Sequence, residues 1–287
     1  MSSPERRRFL TGSRAAWAVL LVAAAAYTLT NYRLAGRPRL GIEPEFSVRL
    51  PVPAQVLMSV GDRYLAANLN GFRVLVAETA RMRAEDYALQ AGLQKDISRL
   101  NPAHEDNYYI AAAILPWGGQ LETAQYVLKR AADARPFDWT PLFYYGFHLY
   151  HFYRNPAAGA EALLAGVSRA QDPQDQWALQ NVAALWIERG YRLDEAAGRV
   201  EAMANAAPPG GFRKYLAIRA ARLRVLDRLR NLATEFELQN GRKLASLDEL
   251  VAGGLLDGIP VDPLRIGFAL DTSGQPVFGD AARAGLK

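Results

Sequence analysis

The stretch NPAHEDNYYIAAAILPWGGQLETAQYVLKRAADARP, residues 101–136, decides the architecture of this chain. It reads as a helix, a Trp117-Gly118-Gly119 breaker, an alanine-rich second helix and a closing proline. The same order returns twice. A second unit runs from Phe137 through Asn155-Pro156 to Ala170, and a third from Gln174 through Gly190 to Ala207. Pro102, Pro136, Pro173 and Pro208 punctuate the series at spacings of 34, 37 and 35 residues. A recurrence of this length marks a helical repeat array.

The residues at fixed offsets within each unit resemble tetratricopeptide repeats. Ala112, Gly146 and Ala183 stand where that family keeps a small residue in its first helix. Gly119 and Gly190 stand at the turn, and the second unit departs there with Asn155-Pro156. Leu121-Glu122-Thr123-Ala124 and Leu193-Asp194-Glu195-Ala196 match the start of the second helix. Small side chains at these offsets let paired helices approach closely. The resemblance covers residues 101–210. It implies a right-handed superhelix with a concave, peptide-binding groove.

Residues 1–14 form a basic tail with Arg6, Arg7, Arg8 and Arg14. Residues 15–32 carry no charge, although only 13 of them, Ala15 to Tyr27, form an apolar run. That is short against the ~17–25 residues of a membrane helix. Trp17, Tyr27 and Tyr32 suit the interfacial zones. Two readings stand, a retained anchor and a cleaved signal peptide. Arg6-Arg7-Arg8-Phe9-Leu10 resembles a twin-arginine export signal, but no cofactor motif follows to favour that route. No polar cleavage region follows Ala24-Ala25-Ala26, which favours the anchor. The slight excess of arginines before the span places the N-terminus inside. The expectation is therefore a single pass through the inner (cytoplasmic) membrane, with the bulk of the chain in the periplasm. Pro38, Pro44, Pro51 and Pro53 make residues 33–53 an extended linker, with a short strand expected around Phe46–Leu50.

Residues 54–100 read as helices capping the array, since a terminal unit has to cover the last apolar face. Gly61-Asp62-Arg63-Tyr64 reads as a turn with a solvated ion pair. After the repeats, residues 211–240 form one long helix with arginines beside its leucine stripe, stopped at Asn240-Gly241. Residues 241–287 form a small α+β module. It has a capped short helix at Ser246–Val251, a rigid Pro260-Val261-Asp262-Pro263 turn, and a hairpin around Thr272-Ser273-Gly274. Leu247–Val251, Gly254-Leu255-Leu256, Pro260–Pro263 and Phe268-Ala269-Leu270 together resemble the end of a type II secretion pseudopilin. A pilin would carry its hydrophobic helix directly before this module, whereas a repeat array intervenes here. The fold class expected is therefore mainly α: a helical-repeat solenoid with an N-terminal transmembrane helix and a small C-terminal module.

The 287 residues are half hydrophobic, with a formal charge of +5 and no cysteine. Disulfides, thiolate metal sites and cysteine nucleophiles are excluded. The aromatics are not interleaved with arginines, which argues against nucleic acid. No nucleophile, phosphate-loop or zinc motif is present, so neither an enzyme nor a cofactor is expected. His148 and His151 lie at i and i+3, but a metal site needs further ligands. Asp262 reads as a turn residue in preference to a calcium ligand. Asn101 is expected to cap the first repeat helix. The helix Phe143–Tyr153 is aromatic all round, which describes buried packing or a recognition groove. On the groove reading Tyr144, Tyr145, His148 and His151 contact a protein partner. The function expected is a membrane-anchored scaffold or adaptor in an envelope, pilus or secretion assembly. The alternative is an accessory subunit of a membrane enzyme complex.

Overall fold

The computed structural model describes residues 4–35, 49–77 and 82–279. The chain is mainly helical and closes on a two-stranded antiparallel sheet. It divides into two units, residues 1–48 and 49–287. The first contains helix α1, Pro4–Ala35. The described side chains of α1 include Trp17 and residues 19–33, all exposed; Ala15, Ala16 and Ala18 of the expected anchor lie outside them. Among the described residues no helix is long and apolar enough to cross a membrane. Near its end the polar side chains bond back to the helix itself. Thr28 Oγ1 donates to the Ala24 carbonyl at 2.9 Å, Thr30 Oγ1 to Ala26 at 2.7 Å and Asn31 Nδ2 to Tyr27 at 3.0 Å. Most of the expected linker, residues 36–48, lies outside the described residues, as does most of the strand expected at Phe46–Leu50. The linker's end is corrected: Val52 and Pro53 already belong to α2, Val52–Met58, because proline is tolerated in a helix's first turn.

The second unit continues with α3, Arg63–Leu75, and α4, Ala84–Leu100. Asp62, expected as a solvated partner of Arg63, is exposed at the start of α3. It caps α3, accepting from the Tyr64 and Leu65 amides at 2.8 and 3.1 Å. The cap of the next helix also differs from expectation. Asn101 ends α4, while His104 precedes α5, Glu105–Ile114, and its Nδ1 accepts from the Asn107 amide. Glu105 and Asp106 then occupy the first turn, where acids complement the helix dipole.

Three helix pairs follow where the sequence places them. α5 pairs with α6, Leu121–Ala134; α7, Thr140–His151, with α8, Pro156–Val167; and α9, Pro173–Gly190, with α10, Leu193–Ala206. The small residues sit at the crossings. Ala124, Ala183 and Ala196 are fully buried. A Cβ on Gly146 would lie 2.8 Å from the Gly159 carbonyl oxygen, so α7 and α8 meet backbone to backbone. Gly119 takes φ +74° at the first turn. Gly190 serves closeness instead, since a Cβ there would lie 2.4 Å from the Ala157 amide nitrogen. Two contacts recur from one pair to the next. Tyr153 Oη donates to Glu122 at 2.5 Å, and one pair later Tyr191 Oη donates to Glu161 at 2.7 Å.

α11, Gly211–Asn240, packs on α10 and ends at Gly241, whose φ of +67° is left-handed. Its second half carries the C-terminal module. Leu229, Ala233 and Phe236 form a core with Leu247, Leu250 and Leu256. α12, Asp248–Ala252, lacks the expected Ser246 side-chain cap. The Glu249 carboxylate instead accepts from the Ala245 amide and from Arg242. β1, Phe268–Leu270, pairs with β2, Pro276–Phe278, in the register Phe268 to Phe278. Asp271 closes the hairpin by accepting from the Ser273 and Gln275 amides. Residues 280–287 lie outside the described set.

Candidate binding cleft

The four residues expected to meet a partner lie on α7 and do not share one fate. His148 is 1% exposed, and its Nε2 lies 3.1 Å from the Ala112 carbonyl oxygen of α5. That bond requires the tautomer with hydrogen on Nε2, leaving Nδ1 without a partner. Burial lowers the His148 pKa to about 4; the Ala112 bond opposes this, and neighbouring His151 adds to it. This residue is a core contact between α7 and α5, which corrects its assignment to a presented face. Tyr144 and Tyr145 are half-buried against the α5–α6 core, with the Tyr144 ring edge-on to Tyr109 at 5.8 Å. His151 stacks on Phe147 at 5.4 Å and borders Trp117. The helix is aromatic all round because it is packed on several sides. Among the described residues no group of three His, Asp or Glu could hold a metal ion.

A more open site lies one helix pair further on. The C-terminal end of α9, the α9–α10 turn, α11 and the hairpin enclose a cleft of about 760 Å³. Its α11 wall is built by periodicity. Tyr215, Arg219, Arg222, Leu226 and Arg230 follow one another at three- and four-residue steps, which places them on one helix face. Arg189 and Arg192 complete the lining from α9 and the turn, and Val277 and Phe278 from the hairpin.

Two of the arginines are structural. Arg219 donates from Nε to Glu188 Oε1 at 2.7 Å and from a terminal nitrogen to Tyr215 Oη at 2.7 Å. Tyr215 in turn donates to Asn181 at 3.2 Å. Burial raises the Glu188 pKa, against the pull of Arg219, Arg222 and Arg189. Arg222 donates to Asp262 Oδ2 at 2.9 Å and lies over the Phe278 ring, 4.3 Å from its centroid. Its Nε is 2.6 Å from Asp262 Oδ1 but is not aligned as a donor, so the pair is one hydrogen bond plus a close charge contact. Asp262 also accepts from the Leu264 and Gly267 amides. Burial alone would raise its pKa, but these donors outweigh it and the net shift is downward. Asp262 is thus the latch between α11 and the proline-rich turn.

The other three arginines keep charge at the cleft. Arg230 donates to the Pro276 carbonyl, Arg189 to Tyr150 Oη, and Arg192 only approaches the exposed Asp194 at 3.4 Å. Five arginines thus face three carboxylates, Glu188, Asp194 and Asp262, an excess of two positive charges. On the other side of Tyr215 an aromatic pocket of about 530 Å³ opens. Trp177 and Phe212 stand nearly parallel there, 6.0 Å apart, beside Pro208-Pro209-Gly210-Gly211. Sequence reading missed this site. α11 carries arginines on opposite faces, with Arg224 and Arg228 exposed on the far side, so their spacing did not single out this face, and the opposing hairpin wall comes from more than forty residues away. No protein-family model, curated protein or solved structure matches the chain.

Proposed function

We propose that this protein is a membrane-anchored, non-enzymatic scaffold of tetratricopeptide-like repeats that holds an acidic segment of a protein partner. The observation that carries this reading is the cleft, where Arg189, Arg192 and Arg230, none paired with a buried carboxylate, line an open, aromatic-edged groove. Arginine forks suit carboxylates in bidentate geometry. The adjoining aromatic pocket would hold an apolar or proline side chain of the same segment. The anchor is α1, inserted in the inner membrane with the second unit in the periplasm. It rests on the uncharged run from Ala15 to Tyr32 and on the self-bonded Thr28, Thr30 and Asn31, whose polar groups cost less in lipid when so paired.

Binding of fluorescent acidic, neutral and basic peptides to the full chain in detergent tests the cleft. Acidic peptides should bind best, and Arg189→Glu with Arg192→Glu should weaken them by about tenfold or more, since opposed like charges are costly at an interface. Both changes are at exposed rim positions, so the buried Arg219 and Arg222 pairs stay intact. Equal binding of all three peptide classes, or no effect of the double reversal, would refute the reading.

A further inference from the structure

A row of three aromatic rings continues the cleft beyond Arg219. Trp177 on α9 and Phe212 on α11 stand 6.0 Å apart with 26° between their planes, and Phe212 and Tyr215 stand 6.3 Å apart at 28°. Rings so close to parallel make a stepped strip, and all three line the pocket of about 530 Å³. Trp177 is 46% exposed, so the strip opens to solvent. Tyr215 lines the arginine cleft as well, which joins the two sites into one surface.

The strip is held by its own neighbours. Tyr215 Oη is fixed on both sides, accepting from Arg219 at 2.7 Å and donating to Asn181 at 3.2 Å. Arg213 Nε donates to the Ala207 carbonyl at 2.7 Å and so ties the loop at 208–211 to the first turn of α11. Gly210 and Gly211 border the pocket without a side chain, and a Cβ on either would meet nothing within 4 Å. A groove fixed in advance costs less to fill than one that must be ordered by its ligand.

The lining narrows the choice of occupant. Among the described residues that line the pocket none is a carboxylate, and the adjoining cleft has its excess of two positive charges. A cationic side chain is therefore repelled. A sugar would bring many hydroxyls, whereas the one side-chain hydroxyl of the lining is already engaged on both sides. A proline ring asks for no such partner, because its nitrogen carries no hydrogen. Proline-rich segments in the polyproline II form dock in aromatic-lined grooves and have little conformational freedom left to lose.

We infer that the pocket takes proline from a polyproline II segment whose acidic end lies in the arginine cleft, which deepens the cleft reading and rests on it. The helices set the spacing. Trp177 and Arg189 lie 12 residues apart on α9, roughly 18 Å along its axis. A polyproline II chain covers that length in about six residues.

Anisotropy of labelled peptides on the full chain in detergent tests this. The parent peptide carries a proline block about six residues from a pair of glutamates. One control replaces the prolines by alanine, a second replaces the glutamates by glutamine. The parent should bind about fivefold or more tighter than the alanine control, the weight of one aromatic contact at an interface. Trp177→Leu should erase that preference and keep the dependence on glutamate. The peptide comparison on the unaltered chain stands even if this variant melts early. Equal binding of the parent and the alanine control would overturn the inference, and would leave the cleft reading in place if glutamate still mattered. A proline preference that survives in folded Trp177→Leu would overturn it too, since stiffness of the peptide alone would then be its source. Capture of a labelled chito-oligosaccharide with no proline preference would assign the strip to glycan instead. Binding that ignores glutamate but keeps the Trp177-dependent proline preference would remove the cleft reading and support the proline pocket by itself.

Discussion

Acidification should destabilise the folded chain through His148, and the size of the effect follows from its position. The imidazole is buried on the Ala112 carbonyl, with its second nitrogen unpaired. Its pKa falls from about 6.5 when unfolded to about 4 in the fold. Because the folded value is the lower one, the unfolded chain takes up the proton first. The stability linked to this group is whole above about pH 6.5 and is lost as pH falls from there toward 4. At about 1.4 kcal/mol per pKa unit the full loss is about 3 kcal/mol, of which about 2 is gone by pH 5. Other groups, Asp262 among them, also shift stability at acid pH, so the comparison has to be with a variant. His148→Gln keeps an N–H able to reach Ala112 and cannot titrate. Denaturant melts of both proteins in mild detergent, from pH 8 to pH 4.5, should show the wild type losing about 2 kcal/mol more than the variant between pH 7 and pH 5. Parallel curves would refute the buried assignment, as would an imidazole resonance that titrates near its ordinary value in the folded chain.

Three further outcomes follow from packing and charge. Ala124→Leu and Ala196→Leu each add a branched side chain at a closed crossing and should cost about 1–3 kcal/mol in thermal melts; unchanged melting of both would argue against those crossings. Arg222→Ala leaves Asp262 buried without its cation and should cost about 3–5 kcal/mol, by urea titration, because a buried charge is stripped of its partner. A loss under about 1 kcal/mol would show that the two backbone amides suffice for Asp262. Val60→Gly should raise stability by roughly 1 kcal/mol in a melt, since glycine takes the left-handed conformation without strain, and no gain would mean that Val60 makes a compensating contact.

Local chemistry made much of the architecture legible. Periodic apolar residues, prolines and small residues specify where the paired helices begin, end and cross, because those signals act within a few residues of one another. Gly241 and the Asp271 turn are readable for the same reason. The choice of face was not. α7 is apolar on every side, so spacing alone grouped Tyr144, His148 and His151 without saying that α5 would cover His148. α3 carries a large apolar stripe and a small one, and simple hydrophobicity would bury the larger. Polar bonds from Asn70 to Gln55 and from Arg49 to Asp96, spanning 15 and 47 residues of chain, select the other. The cleft likewise needs Arg222 to meet Asp262 forty residues on. Helices arise from neighbours in sequence, whereas which face is buried depends on partners that only the folded chain brings together.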